Sequence, residues 1–296
     1  MKKTLFLLLL LCSQIFVFSQ TNEMLYLLDS ITMQPIPYAN IICLDSINGT
    51  YTTSEGVFTK PKYGVASISC VGYFTKKITF NGGNDTILLA PKIYSLKEIV
   101  VVPNNNEKEI IEGYANNKSD FSLSYSSGTE VAVFIENKKK QESLIKKIFL
   151  KIDVRRIVRK TTNINYTSVF KINLYSVKDK INIGECIGSI ILKSDILTTK
   201  SFFDISDLNL SFPKDGLFVG IEWVGKENLE NNELYIVTEN LLEPFISTTF
   251  KENSIVYERK KFMSDTWLLV DATNIMSIVN KKNRGFTPLV SLVVSN

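Results

Sequence analysis

Apolar and polar positions alternate with a period of two along most of this chain, the pattern of strands that bury one face. Ala39, Ile41 and Cys43 alternate with Asn40 and Ile42, and Asn48-Gly49 and Glu55-Gly56 mark tight turns because such residues tolerate positive φ. Val57-Phe58, Ser67 to Tyr73, Ile78 to Phe80, Thr86 to Leu89 and Ile99 to Val102 continue the series, which predicts a small all-β sandwich over residues 20–102. Further on, Ile148, Leu150, Ile152 and Val154 alternate with Phe149, Lys151, Asp153 and Arg155, and Phe170, Ile172 and Leu174 do the same. Runs at Ile187 to Leu192, Leu217 to Val224, Leu234 to Val237, Ile255 to Glu258, Trp267 to Val270 and Leu289 to Val294 follow, with no strong helical period. That predicts a larger, jelly-roll-like β-sandwich over 121–296. The stretch 103–120, opening on Pro103-Asn104-Asn105-Asn106, reads as a polar linker.

The N-terminus departs from this pattern. Lys2 and Lys3 precede an apolar run from Leu5 to Leu11 and a second from Ile15 to Phe18, the layout of a cleaved signal peptide ending near Ser19. Export to the periplasm, the outer-membrane surface or the medium is the expectation. Cys12 leaves a lipid anchor open, although Leu11 stands where a small residue usually precedes a lipid-modified cysteine. No later window is apolar and long enough to span a bilayer as a helix.

Four blocks in the first unit carry a family resemblance. Pro35-Ile36-Pro37-Tyr38-Ala39-Asn40-Ile41, Gly49-Thr50-Tyr51-Thr52-Thr53-Ser54-Glu55-Gly56-Val57-Phe58, Ser69-Cys70-Val71-Gly72-Tyr73 and Leu96-Lys97-Glu98-Ile99-Val100-Val101 resemble the carboxypeptidase regulatory-like domain of exported Bacteroidetes proteins. The resemblance implies a seven-stranded, transthyretin-like sandwich with no activity of its own. Phe170-Lys171-Ile172-Asn173-Leu174-Tyr175 and the segment Phe212 to Trp223 resemble the β-sandwich that often follows that domain.

Composition then narrows the chemistry. There is no histidine, which removes Ser-His-Asp and Cys-His catalysis and His-based zinc sites. The 34 basic residues become 32 against 30 acidic once Lys2 and Lys3 are removed, far from the basic excess of a nucleic-acid binder. The three cysteines beyond the signal segment, Cys43, Cys70 and Cys186, are too few for a disulfide scaffold, and Cys43 and Cys70 read as separate thiols in preference to a pair. Gly220 to Lys226 imitates a phosphate loop, but Glu227 follows where a hydroxyl is needed and the interior is strand-forming. Ser-Lys pairs three apart, such as Ser168 and Lys171, fall in strands, where such residues face opposite ways.

No catalytic, metal or cofactor-binding residue is therefore assigned. Arg155, Arg156, Arg159 and Lys160 form a candidate patch for anionic ligands, against the plainer reading of a solvated loop. Trp223 and Trp267 are candidates for stacking on sugars, against burial in a core. Glu222 alternates with Val219, Ile221 and Trp223, and reads as lying on a solvated outer face. The sequence points to a non-catalytic exported module of the bacterial envelope that recognises a protein or polysaccharide. The alternative is a histidine-free, carboxylate-based enzyme acting on glycans.

Overall fold

The computed structural model describes residues 23–61, 64–80, 85–92, 109–153, 165–179, 181–238, 244–251, 254–270 and 285–295. The signal-like segment 1–19 and the strand expected at Ile99 to Val102 lie outside them. The chain is an all-β protein of two sandwiches.

Among the described residues, 23–92 supply seven strands in a three-stranded and a four-stranded sheet. Met24–Asp29 lies between Val57–Thr59, antiparallel, and Thr86–Leu89, parallel. Asn40–Cys43 lies between Gly49–Tyr51 and Val65–Ser69, with Lys76–Thr79 outside the latter. Leu25 and Leu27 point inward on alternate positions and join Ile41, Phe58, Ile68 and Leu89 in one core. Burying a side chain of this size contributes ~1.5–3 kcal/mol, so the alternation is the driving force written into the sequence. Gly56 has φ +71°, and a Cβ there would stand 2.7 Å from the Leu27 carbonyl oxygen. The turn thus requires glycine both for its backbone and for its space.

The second sandwich packs a large sheet on a smaller one. The large sheet runs, in spatial order, Asn182–Lys193, Tyr166–Lys178, Leu217–Asn228, Thr129–Ile135, Val256–Lys260 and Ser264–Leu269. Its partner runs Lys200–Asp204, Ser143–Lys151, Val290–Ser295 and Glu109–Gly113. Between them lie Val131, Val133, Ile148, Leu150, Phe170, Ile172, Val219, Ile221, Trp223 and Leu292. These include the inward residues that the period of two selects.

The linker expectation is corrected here. Glu109–Gly113, inside the stretch 103–120, is an edge strand of the second sandwich, hydrogen-bonded along Val290–Ser295 with Ile111 opposite Val293. Ile110 packs on the core while Glu112 is buried beside it. Charge on an edge strand discourages pairing with other chains. That same charge made the strand read as a connector.

Candidate functional site

Four neighbouring strands of the large sheet place charged residues directly opposite one another. Lys171 faces Glu222, Glu222 faces Glu130, and Glu130 faces Arg259. Their flanking neighbours Phe170, Ile172, Ile221, Trp223 and Val131 fill the core, so the pleat sends this row to the sheet's outer face. The row reads cation, anion, anion, cation. Lys261 follows Arg259 by two residues and puts its ammonium between the two carboxylates, 2.7 Å from Glu222 Oε2 and 3.3 Å from Glu130 Oε2.

Every carboxylate oxygen in the row is held. Arg259 donates to Glu130 Oε2 from Nε at 3.0 Å and from Nη2 at 2.8 Å, and also to Asp265 Oδ1 at 2.8 Å. Tyr175 donates its hydroxyl hydrogen to Glu130 Oε1 at 2.7 Å. The Asn173 amide donates to both acids, 2.8 Å from Glu130 Oε1 and 2.9 Å from Glu222 Oε2, and Ser189 fixes that amide by donating to its oxygen at 2.6 Å. Glu222 Oε1 receives the hydroxyl of Tyr51, a residue of the first sandwich, at 2.8 Å.

The first sandwich is what seals this face. Tyr38 donates to Glu227 at 2.8 Å, and Glu227 also pairs with Lys193. Glu222 and Glu227 are five residues apart, an odd interval that a regular strand would send to opposite faces. A bulge reconciles them: Val169 pairs with Gly225 while Phe170 pairs with Trp223, leaving Val224 as an extra residue. Phe262 packs on Tyr51 at 5.4 Å between ring centres, and a Cβ at Gly49 would meet its ring at 2.2 Å. The Asn48-Gly49 turn thus differs from expectation. Neither residue has positive φ, and Gly49 is there to let Phe262 approach.

Burial would push both acids upward, but the cations outweigh it. Lys171, Lys261 and Arg259 hold Glu222 well below the usual carboxylate range, and Lys261 and Arg259 do the same for Glu130. Burial lowers Lys171, against the pull of Glu222. Its nearest carboxylate oxygen, Glu222 Oε1, is 3.8 Å away, and its ammonium lies 4.8 Å from the centre of the Tyr51 ring.

Beside this row a cleft of about 490 Å³ opens between the sandwiches. Asn40 and Tyr73 line it from the first, and Lys171, Arg259, Lys261 and Trp267 from the second. The half-buried Trp267 indole carries the Arg259 guanidinium 4.2 Å from its ring centre and meets Tyr175 edge-on.

Of the residues singled out from sequence, Trp267 alone has an indole on this cleft. Trp223 is corrected: it is 1% exposed, packs on Tyr125 and donates its indole N–H to the Pro244 carbonyl, so it has no face for a sugar. Arg155, Arg156, Arg159 and Lys160 lie outside the described residues. Glu222 is on the expected face, but that face is covered and the residue is 0% exposed. Cys43, Cys70 and Cys186 are unpaired. Glu130, Arg259 and Lys261 escaped sequence reading, and Lys171 entered it only as half of a Ser-Lys pair and within a block of family resemblance. Their signal was single charges at outward positions in strands whose other outward residues, Ala132, Phe218 and Tyr175, are apolar or aromatic. A face so mixed is a covered face.

Among the described residues no helix is long and apolar enough to cross a membrane, and no group of three acids or cysteines is placed to hold a metal ion. Compared with protein-family models and with curated proteins, the chain matches none.

Proposed function

We propose that this chain is a non-catalytic, exported module of the bacterial envelope that recognises a polysaccharide in the cleft between its two sandwiches. The envelope setting rests on the signal-like N-terminus and on the resemblance of the first unit to regulatory-like domains of exported Bacteroidetes proteins. One observation carries the recognition reading: a cleft of about 490 Å³ lined by polar side chains and the half-buried Trp267. Its size is within the range of small-ligand sites, and an aromatic ring next to convergent polar groups suits a sugar, which has polar edges and apolar C–H faces.

Binding is favoured over glycan hydrolysis by the state of the two acids. A glycosidase needs one carboxyl kept protonated as the acid. Glu130 and Glu222 are both held ionised, and their oxygens are already engaged. The test is a glycan array probed with the mature protein and with Trp267→Ala. The reading expects a restricted set of glycans for the parent and loss of those signals for the variant. Identical arrays for the two proteins would move the binding surface away from the cleft.

A further inference from the structure

The buried members of the charged row are unequal in number. Three cations, Lys171, Arg259 and Lys261, meet two carboxylates, Glu130 and Glu222, with every one of these side chains between 0% and 12% exposed. Arg259 also reaches Asp265, whose carboxylate is 65% exposed. Arg259 and Lys261 each make contacts of 2.7 to 2.8 Å to carboxylate oxygens. Lys171 does not. Its closest is the 3.8 Å approach to Glu222, and no acceptor among the described residues lies within hydrogen-bond distance of its ammonium. Its ammonium is not among the fully buried unpartnered atoms, so it opens on the cleft, where an anion supplies the acceptor that it lacks.

Lys171 lines the cleft from the second sandwich. From the first sandwich Asn40 lines it, and its Oδ1 is buried with no hydrogen-bond donor among the described residues. The cleft thus presents one cation short of an acceptor and one amide oxygen short of a donor. A ligand satisfying both carries a negative group with a hydroxyl close by.

Charge decides which negative group. A single carboxylate answers the one ammonium without a close acceptor, since Arg259 already has Glu130 and Asp265, and Lys261 has Glu222 and Glu130. A phosphate, at roughly −1.5 to −2 near neutral pH, overshoots and repels Glu222 across the Lys171 ammonium. We infer that the cleft takes an acidic saccharide, a chain containing a uronate or a similar sugar acid, whose carboxylate is received by Lys171 and whose hydroxyl is received by Asn40. Trp267 at the same cleft covers an apolar face of the sugar ring. The inference rests on the reading of the cleft as a saccharide site and adds the charge of the sugar.

Calorimetry on the mature full chain tests it with three probes: trigalacturonate and triglucuronate, each beside its methyl ester, and triglutamate as an acidic peptide. The acid form of at least one saccharide is expected to bind tenfold or more tightly than its ester, because the ester keeps the shape and the hydroxyls and removes the charge. In Lys171→Met the preference is expected to fall below threefold. The acid-against-ester comparison on the parent protein needs no variant and decides the matter even where Lys171→Met fails to fold. Equal binding of acid and ester would overturn the charge assignment and leave a neutral-saccharide cleft standing. Binding of triglutamate alone, or of no probe, would overturn the inference and the saccharide reading together.

Discussion

The hydroxyl of Tyr51 donates to Glu222 Oε1 at 2.8 Å, and both side chains are at most 1% exposed. One belongs to the first sandwich and the other to the second. A hydrogen bond to a buried carboxylate is worth about 1.5–3 kcal/mol, because removing it leaves a charged oxygen short of a partner. Tyr51→Phe is therefore expected to lower unfolding stability by about that amount in denaturant melts. An unchanged midpoint would mean that water replaces the hydroxyl and that the two sandwiches part easily.

The two lysines of the charged row should behave oppositely. Lys261 pairs with both acids, so Lys261→Met takes a shared cation from two buried carboxylates and is expected to cost about 3–5 kcal/mol. Lys171 is buried and loosely held, so Lys171→Met is expected to be neutral or stabilising. Chemical denaturation of both variants checks the ranking. Equal losses would contradict the loose hold on Lys171.

Acid should weaken the protein through these carboxylates. Glu130 and Glu222 have folded pKa values below the unfolded value of 4.5, so their contribution is complete above that pH and is lost as pH falls through the folded values. Parent stability is expected to decline below about pH 4.5, with a shallower slope in Glu222→Gln. Lys171 works the other way: its folded pKa is depressed, so its penalty is full below that value and fades as pH rises toward 10.5. The difference between parent and Lys171→Met should shift toward the parent on the alkaline side. Melting temperatures across pH measure both slopes.

Two glycines in the first sandwich separate backbone strain from crowding. Gly56 and Gly72 have φ of +71° and +86°, but a Cβ at Gly56 meets the Leu27 carbonyl at 2.7 Å while one at Gly72 meets nothing within 4 Å. Gly72→Ala is expected to lose about 1 kcal/mol from strain alone, and Gly56→Val about 1–3 kcal/mol or more. Matching melting temperatures for the two variants would remove the crowding argument.

Much of the fold was legible because alternation reports which side of a strand is apolar. Ile148, Leu150, Phe170, Ile172, Ile221 and Trp223 all face the interior that their spacing implied. Alternation does not report what covers the opposite side. Glu222 was placed on the right face and given the wrong surroundings, since only the arrival of Tyr38 and Tyr51 from about 170 to 190 residues away turns that face into an interface. Lys171 and Asn173 stood on the outward side of a strand read by its alternating Phe170, Ile172 and Leu174, and Arg259 and Lys261 sat at a strand end that resembled any solvated turn. The edge strand Glu109–Gly113 was hidden by its own charges. Contacts of long range in sequence leave no local pattern, and the cleft is made entirely of them.

The surplus residue at Val224 gives the seam between the sandwiches an extra apolar side chain, packed with Tyr38, Tyr51 and Phe262. Were it deleted, Glu222 and Glu227 would stand four positions apart and share a face in a plain strand, and what would be lost is the side chain that packs beside Tyr38 and Tyr51. Two acids can therefore meet Tyr38 and Tyr51 from one strand either five apart across a bulge, as here, or four apart in a plain strand. The five-residue interval belongs to neither a plain strand nor a helical stripe, so within a strand it is the mark of the bulge.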